Sequence, residues 1–237
     1  MVESGSTLNL ENVVWRERDP SRAVPPFGED LSGWEIQKVR KSHWNARRAV
    51  DGKTYFLKWF FHGPFRSPAR MEWKSALKLD RLGIPTVLPV GWGIHRRGSF
   101  LVLEGSPGFP ADHWRRHPMP REEIDRLTVE LSRHVASLHD SRLCHRDLNV
   151  YHLLLDGGQL RLIDVGRVAR FWRRRWIVKD LASLLYSSEA EGLPSRLARL
   201  FFRSYLKRTQ WAWNRRSLLR AVKAKARSYR RHNQKHA

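Results

Sequence analysis

The chain has 237 residues, and 41% of them are hydrophobic, so it can bury a substantial core as one large domain or two small lobes. It has no apolar run of the roughly 20 residues that span a bilayer, and its single cysteine, Cys144, excludes an internal disulfide. Its 45 Lys+Arg against 23 Asp+Glu give a formal charge of +22, which indicates an anionic partner: nucleic acid, a membrane surface or a polyanionic substrate.

The first 31 residues contain three prolines and little periodicity, which predicts a loose arm with one short strand near residues 13–15. This arm starts with a polar, acidic stretch and lacks the basic-then-apolar order of a signal peptide. Together with the lone cysteine, which we interpret as a buried packing thiol rather than a nucleophile, this predicts a cytoplasmic protein.

A β-hairpin is predicted after the arm. Asp51-Gly52 is a strong signal for a type I′ turn between strands at 47–50 and 53–60, and a weaker strand is predicted over 34–40. Alternation places Lys58 inside a very apolar strand, where an interior ammonium group needs a partner charge. The alternative is an edge lysine with its head in water.

A helix is predicted to begin at Ser67, with Ser67 as N-cap and Pro68 at the first helical position, and to end at Gly83 and Pro85. One face of this helix is predicted to carry Met71, Ser75, Lys78 or Leu79, and Leu82. Glu72 lies in the second turn, where its carboxylate is either solvated or a partner for Lys58.

Strands at 86–94 and 99–103 are predicted on either side of a turn at 96–98, and they would complete a small lobe of about five strands and one helix. Residues 107–120 are predicted to be a loop. An amphipathic helix is predicted over 121–139, because apolar residues recur there at helical spacing. They are Ile124, Leu127, Leu131, Val135 and Leu138.

Two acidic residues flank the next predicted hairpin. Asp147 precedes an apolar strand at 153–155, a turn at Asp156-Gly157-Gly158 and a strand at 160–163 that leads to Asp164. Because a hairpin folds back on itself, its ends can bring both carboxylates to one place. That layout suits phosphoryl transfer, in which one carboxylate accepts the proton of an attacking hydroxyl and the other holds Mg²⁺ on the phosphates of ATP. The alternative is an ordinary hairpin with capping or solvated aspartates.

Arginines and aromatic residues are interleaved after Asp164: Arg167, Arg170, Phe171, Trp172, Arg173, Arg174, Arg175 and Trp176. Such a run can bind phosphate or stack on sugars and bases, and the alternative is a solvated basic loop. A helix is predicted over 179–186, with Asp180 near its start, where an aspartate is most often a helix cap. Asp164 and Asp180 are too close in sequence for the peptide-binding segment of a protein kinase.

Two further helices are predicted, one from Pro194-Ser195 and one over 217–229. From Gly192 onward there is no acidic residue but there are 14 basic ones: Arg196, Arg199, Arg203, Lys207, Arg208, Arg215, Arg216, Arg220, Lys223, Lys225, Arg227, Arg230, Arg231 and Lys235. The last helix is predicted to carry a basic side with Arg220, Lys223, Arg227 and Arg230 and an apolar side with Leu218, Val222, Ala226 and Tyr229. The basic side could hold an anionic membrane, a polyanionic substrate or nucleic acid.

Several segments resemble the lipopolysaccharide kinase family, the heptose and Kdo kinases of bacterial inner-core synthesis, over about residues 34–206. They are His145-Arg146-Asp147-Leu148-Asn149, Tyr151-His152-Leu153-Leu154-Leu155, Leu162-Ile163-Asp164 with Arg167, and Lys179-Asp180-Leu181. The resemblance implies an α+β, bilobal protein-kinase-like fold. A small β-rich N-terminal lobe would span 32–105 and a larger α-helical C-terminal lobe 106–237, with ATP and Mg²⁺ between them.

The resemblance also implies roles for single residues. Asp147 would deprotonate a sugar hydroxyl, Asp164 would bind Mg²⁺, and Lys58, held by Glu72, would neutralise the ATP phosphates. Backbone groups from Glu104 to residue 106 would bind adenine. His145 and Asp180 would support the catalytic loop.

The sequence departs from the protein-kinase pattern at three places. His152 stands where the metal-binding asparagine is expected, and its imidazole can ligate a metal but prefers softer ions than Mg²⁺. Asn149 replaces the usual lysine and could hydrogen-bond phosphate or acceptor. The glycine-rich phosphate loop is absent, and basic residues stand in its place: Lys38, Arg40, Lys41 and His43.

The predicted activity is ATP- and Mg²⁺-dependent phosphorylation of a sugar hydroxyl in the lipopolysaccharide core or a similar anionic glycan. The alternatives are a kinase of another acceptor, protein Ser/Thr or small molecule, and a non-catalytic pseudokinase or nucleic-acid-binding module. The catalytic residue types at Lys58, Asp147 and Asp164 disfavour the non-catalytic alternatives. We expect a monomer, with peripheral contact to the inner face of the inner membrane.

Overall fold

The structure, a computed structural model, describes residues 14–18, 33–61, 67–95, 97–106, 108–113 and 116–234. Most of the predicted N-terminal arm therefore lies outside the described residues. The chain divides into two compact units. The first unit comprises residues 1–77 and 87–106, and the second comprises residues 78–86 and 107–237.

The first unit is built on one antiparallel sheet. Its strands are β1 (Val14–Glu17), β2 (Glu35–Val39), β3 (His43–Val50), β4 (Lys53–Phe61), β5 (Pro89–His95) and β6 (Gly98–Glu104). They are arranged in the order β1-β5-β6-β4-β3-β2, which places β4 inside the sheet. Helix α1 (Pro68–Arg81) follows β4 in the chain.

The hairpin between β3 and β4 forms as predicted. Asp51 and Gly52 both have positive φ, 49° and 74°, which a type I′ turn requires. Alternation along β4 turns Trp59 into an aromatic core, where it stacks on Trp44 and Phe100 with ring centroids 5.7 and 5.5 Å apart.

Helix α1 begins as predicted, because the Arg70 N–H donates to the Ser67 Oγ at 3.2 Å. Its predicted face is right at Leu79, which is buried, and wrong at Met71 and Leu82, which are 54% and 38% exposed. The buried positions are Ala69, Glu72, Ala76 and Leu79. Two of them are alanines and one is an acid, so side-chain hydrophobicity alone identified only part of the buried face.

The second unit is mainly helical. Its helices are α2 (Arg121–Asp140), α3 (Arg175–Ala190), α4 (Ser195–Arg208) and α5 (Arg215–Gln234), with α2 packed on α4 and α3 packed on α5. Its short strands are β7 (Phe109–Pro110), β8 (Leu143–Cys144), β9 (Leu153–Asp156), β10 (Gln159–Leu162) and β11 (Ala169–Arg170). They form the sheets β10-β9-β7 and β11-β8.

The β9–β10 hairpin and helix α2 form as predicted, and Leu127, Leu131, Val135 and Leu138 of α2 are buried. Two local predictions need correction. The predicted loop at 107–120 contains β7, which pairs with β9. Helix α3 begins at Arg175, four residues earlier than predicted, so Asp180 lies in the second turn and cannot cap the helix.

Helix α5 buries its apolar side against the rest of the second unit, since Leu218, Val222 and Ala226 are at most 3% exposed. On its basic side, Arg230 pairs with Glu189 at 2.6 Å, which removes it from the predicted group of solvent-facing cations. No described helix is both long and apolar enough to cross a membrane. The α+β class predicted from the sequence is confirmed.

Candidate active site

Lys58 lies in the interior of the first unit's sheet, paired in register with Asn45 of β3 and Leu101 of β6. Its Nζ contacts the Glu72 Oε1 at 2.7 Å, and the two side chains are 18% and 5% exposed. The edge-lysine alternative is therefore wrong, and the predicted ion pair is present. Each charge compensates the other, which is the condition for keeping both away from water.

Glu104 is the last residue of β6, and its carboxylate pairs with Lys53 at 3.3 Å. The next backbone group, the Gly105 N–H, donates to the Thr54 carbonyl oxygen at 2.6 Å. The structure thus places Glu104 at the end of the strand, and its role in adenine binding stays a prediction.

Asp180 braces the segment around Asp147 from inside the second unit. Its carboxylate is fully buried and accepts the backbone N–H groups of His145 at 2.6 Å and Arg146 at 2.8 Å. Arg146 has φ of 67°, a left-handed conformation that is unfavourable for a long side chain. The two hydrogen bonds hold this strained backbone in place, so Asp180 makes the contacts that the resemblance implied.

Asp180 is itself held by residues that the sequence did not single out. The fully buried His139 places Nε2 3.5 Å from the Asp180 carboxylate and Nδ1 2.9 Å from the Tyr205 hydroxyl. Because a carboxylate only accepts, the neutral imidazole donates from Nε2 and accepts from Tyr205. Burial raises the pKa of Tyr205, which keeps its hydroxyl a donor. A second brace is the hydrogen bond from the Val150 N–H to the Ser187 Oγ, at 3.0 Å.

The Asp147 carboxylate is held at both oxygens. Its Oδ1 accepts from the Asn149 Nδ2 and its Oδ2 from the Arg167 Nη1, each at 3.3 Å. Its side chain is still 36% exposed. The group is thus oriented by neighbours and open to an incoming hydroxyl, the two properties that a general base needs.

His152 joins the two acidic residues. Its Nδ1 lies 2.8 Å from the Asp147 carbonyl oxygen, which can only accept, so Nδ1 carries a proton. In the neutral ring, Nε2 then directs a lone pair towards the Asp164 Oδ2, 3.5 Å away. Two facing lone pairs repel unless a proton or a metal ion lies between them. This donor pair therefore fits a cation.

The spacing also suits Mg²⁺, since neighbouring ligands of an octahedral ion lie about 3 Å apart. Within the described ranges, no group of three or more His, Cys, Asp or Glu could hold a metal. Asp164 has φ of 55°, a left-handed conformation that aspartate tolerates better than most residues.

His145 and Cys144 are packing residues. His145 is fully buried and stacks on His152 with ring centroids 5.9 Å apart, and desolvation lowers its pKa. Burial also disfavours the charged form of Cys144, so it raises the pKa of this thiol to about 11 and leaves it protonated and unreactive. The interpretation of Cys144 as a packing thiol is confirmed.

The arginine-aromatic segment has members in three environments. Phe171 is buried, and its ring lies 5.7 Å from that of Trp211. Trp172 is 82% exposed. Trp176 is half-buried under three cationic side chains, those of Arg146, Arg175 and Lys179.

The fold and the arrangement of these groups define a kinase of protein-kinase-like architecture. Residues 59–205 match the model of the Lipopolysaccharide kinase (Kdo/WaaP) family, and the chain belongs to that family. A curated relative is the lipopolysaccharide core heptose(I) kinase WaaP of Pseudomonas aeruginosa. It is 29% identical, and the match covers 82% of this chain and 83% of the relative.

Two solved structures are similar in fold. A structure of WaaP in complex with acyl carrier protein has a TM-score of 0.64 at 27% identity, covering 82% of this chain and 88% of that one. An aminoglycoside-3′-phosphotransferase of type VIII has a TM-score of 0.57 at 21% identity, covering 81% of this chain and 93% of the other. The second likeness concerns the fold alone. The predicted protein-kinase-like fold and kinase class are confirmed.

Proposed function

We propose that this kinase transfers the γ-phosphate of ATP to a sugar hydroxyl of the lipopolysaccharide inner core, on a heptose or Kdo residue. Family membership supports the acceptor class, and the heptose kinase relative supports a core sugar. The observation that carries the proposal is the chain of contacts from Asp147 through His152 to Asp164. These contacts support a general base at Asp147 and a cation site at His152 and Asp164, both carried by one loop and hairpin.

Asp147 is the general base. The acceptor hydroxyl gives its proton to an Asp147 carboxylate oxygen while its own oxygen bonds to the γ-phosphorus and the bond from that phosphorus to the ADP oxygen breaks. Asn149 and Arg167 keep the carboxylate oriented during this step. His139 and Asp180 act through the backbone, because they fix the loop that carries Asp147.

Asp164 and His152 would hold Mg²⁺, which supplies positive charge to the phosphate oxygens as the reaction proceeds. In the first unit, Lys58 is available to neutralise phosphate, with Glu72 keeping it charged and oriented. Lys38, Arg40 and Lys41 are exposed at the β2–β3 turn, and we infer that they supply the charge that a glycine-rich loop supplies elsewhere. Such a site works by positioning and charge stabilisation.

The net charge of +22 fits an acceptor rich in phosphate and carboxylate and a location beside an anionic membrane surface. We place the enzyme in the cytoplasm, in peripheral contact with the anionic inner face of the inner membrane, and we expect it to act as a monomer. Nucleic acid is disfavoured as a partner, because a non-catalytic binding module has no need for the residue types at Lys58, Asp147 and Asp164.

An apolar cavity suggests a second partner. It has a volume of about 190 Å³ and lies inside the second unit between α2, the β9–β10 hairpin, α3 and α4. Its lining includes Leu131, Leu153, Leu181 and Phe201. Since a related WaaP was solved in complex with acyl carrier protein, we propose that an acylated carrier protein binds this chain and that the cavity receives the acyl group. A thermal shift with acylated but not with unacylated carrier protein is the expected result.

The transferase proposal is tested by incubating the purified chain with γ-labelled ATP, Mg²⁺ and deacylated lipopolysaccharide cores, followed by mass analysis. The expected product is a core oligosaccharide heavier by one phosphate, with the label on a single sugar. Label on protein serine or threonine and none on the core would overturn the acceptor class while leaving the kinase class intact.

A further inference from the structure

One indole beside the catalytic loop carries three positive charges. The Arg146 Cζ, the Arg175 Cζ and the Lys179 Nζ lie 5.0, 5.4 and 5.2 Å from the centre of the Trp176 ring. Cation–π attraction accounts for one cation over such a ring. It does not account for three, because each added cation repels the others.

The repulsion is not relieved by acidic neighbours. Among the described residues, no carboxylate lies within 4 Å of Arg146, Arg175 or Lys179 in an ion pair, and the adjacent Asp180 is buried and occupied by backbone N–H groups. Each cation lies within 5.4 Å of one ring centre, so any two are separated by less than twice that distance. This upper limit on the separation of two cations is about one Debye length at 0.1 M salt, so solvent ions screen their repulsion only in part. An anion seated among the three would remove it.

The neighbouring arginine-indole contacts are different in kind. Arg174 lies over both Trp211 and Trp213, and its Nη1 donates to the Ala212 carbonyl oxygen at 3.2 Å. That hydrogen bond ties Arg174 to the segment between α4 and α5, as packing would require. The side chains of Arg175 and Lys179 make no such hydrogen bond within the described part of the chain.

We propose that Arg146, Arg175, Lys179 and Trp176 form an acceptor subsite. The three cations would bind an acidic substituent, carboxylate or phosphate, on a sugar next to the one that is phosphorylated, and the indole would support the sugar ring. Arg146 directly precedes Asp147 in the chain, so the subsite is built partly from the loop that carries the general base. The subsite rests on the proposed glycan acceptor and adds that recognition requires an acidic sugar.

The test uses direct binding, so that it does not depend on turnover. Isothermal titration measures the affinity of the full chain for three soluble core oligosaccharides: the native one, one whose carboxylates are reduced to alcohols, and one stripped of phosphate. The variant is Arg175→Gln with Lys179→Gln, which leaves the catalytic loop untouched. The control is Lys74→Gln with Arg133→Gln, which removes the same charge from exposed positions on α1 and α2.

The double variant is expected to bind the native oligosaccharide at least about tenfold more weakly, the usual effect of losing charge-assisted hydrogen bonds. The control should bind as the wild type does, and the affinity for ATP should be unchanged in both. The variant and the wild type should bind equally to whichever modified oligosaccharide lacks the recognised group. If that is the carboxylate-reduced one, the group is a carboxylate; if it is the phosphate-stripped one, the group is a phosphate.

Two results would overturn the subsite: equal loss of affinity in variant and control, or weaker ATP binding with oligosaccharide binding intact. A failure of the whole acceptor proposal looks different, because the wild type itself would then bind none of the three oligosaccharides. Trp176→Phe gives a second measurement, since it keeps a ring but weakens the cation platform, and it should reduce affinity less than the double charge variant.

Discussion

The His152 Nε2 faces the Asp164 carboxylate at 3.5 Å while the same ring donates from Nδ1 to the Asp147 carbonyl oxygen. The hydrogen bond at Nδ1 therefore determines what Nε2 can do. With its proton at Nδ1, the ring presents a lone pair beside a carboxylate, and this is the arrangement of two ligands for one cation.

Removing either ligand should weaken metal-dependent turnover. Asp164→Ala is expected to abolish it, because the metal offsets charge on the transferred phosphoryl group. His152→Ala should raise the Mg²⁺ concentration for half-maximal rate by about tenfold or more, which a metal titration measures. His152→Asn supplies a harder oxygen ligand, so its activity with Mn²⁺ relative to Mg²⁺ should fall. Metal dependence identical to the wild type in His152→Ala would make His152 a spacer.

Asp147→Asn should keep the fold and nucleotide binding but lower kcat by about 100-fold or more, the usual contribution of a positioned base. The amide can still accept from Arg167 but cannot take a proton. Single-turnover kinetics with soluble core acceptor measures the loss. Asp156→Asn is the control, since Asp156 pairs with Arg161 at 3.1 Å in the same hairpin. Near wild-type turnover in Asp147→Asn would refute the assignment.

Lys58→Met should raise the KM for ATP, because Lys58 is proposed to neutralise phosphate. It should also destabilise the fold by up to about 3 kcal/mol, since Glu72 is left buried without a partner charge. Adding Glu72→Gln should restore much of the stability without restoring ATP affinity. Restored stability without restored ATP affinity would separate the role of Lys58 in ATP binding from its role in the folded structure.

The matched control for that experiment is Lys74→Met on the exposed side of α1. It makes the same Lys→Met change in the helix that carries Glu72, and it should leave both ATP affinity and stability near wild type. Unchanged ATP affinity and rate in Lys58→Met would show that the ion pair is structural only.

Stability should fall as pH decreases from 7 to 5. The pKa of His145 is lowered in the folded state by desolvation, so at acidic pH the unfolded chain binds a proton that the folded chain does not. The resulting stabilisation is fully present above the unfolded pKa of about 6.5 and is lost as pH falls below it. Urea unfolding at several pH values measures the slope. His145→Phe should have a shallower slope, and an unchanged slope would assign the effect to other histidines.

The basic face of α5 should hold the enzyme on anionic surfaces. Arg220, Lys223 and Arg227 are exposed on a helix whose apolar side is buried, so they are available to lipid headgroups. Each cation near an anionic membrane contributes about 1 kcal/mol. Reversing the three charges should therefore reduce co-sedimentation with anionic vesicles while turnover on soluble core sugars stays nearly intact.

The control for α5 reverses three cations elsewhere to give the same net charge: Lys74, Arg81 and Arg133. Neutral vesicles and duplex DNA complete the comparison at low and physiological salt. Binding to DNA that survives physiological salt, with none to anionic vesicles, would favour the nucleic-acid alternative. A collapse of turnover on soluble sugars would assign the face to the acceptor site.

Local sequence was sufficient where the determinant is itself local. The turn at Asp51-Gly52, the N-cap Ser67 and the stripe along α2 follow from backbone preference and periodicity, and each is present as predicted. The hairpin with Asp147 and Asp164 at its ends was also predictable from local sequence, because one short segment contains both strands and the turn glycines.

Tertiary structure decided the contacts between residues that are distant in sequence. Periodicity found only part of the buried face of α1, because the small Ala69 and Ala76 are buried there together with Glu72 while the larger Met71 is exposed. The link from Tyr205 through His139 to Asp180 was also missed. Each member is an ordinary helix residue until packing excludes water from it, and only then must its polar atoms find one another.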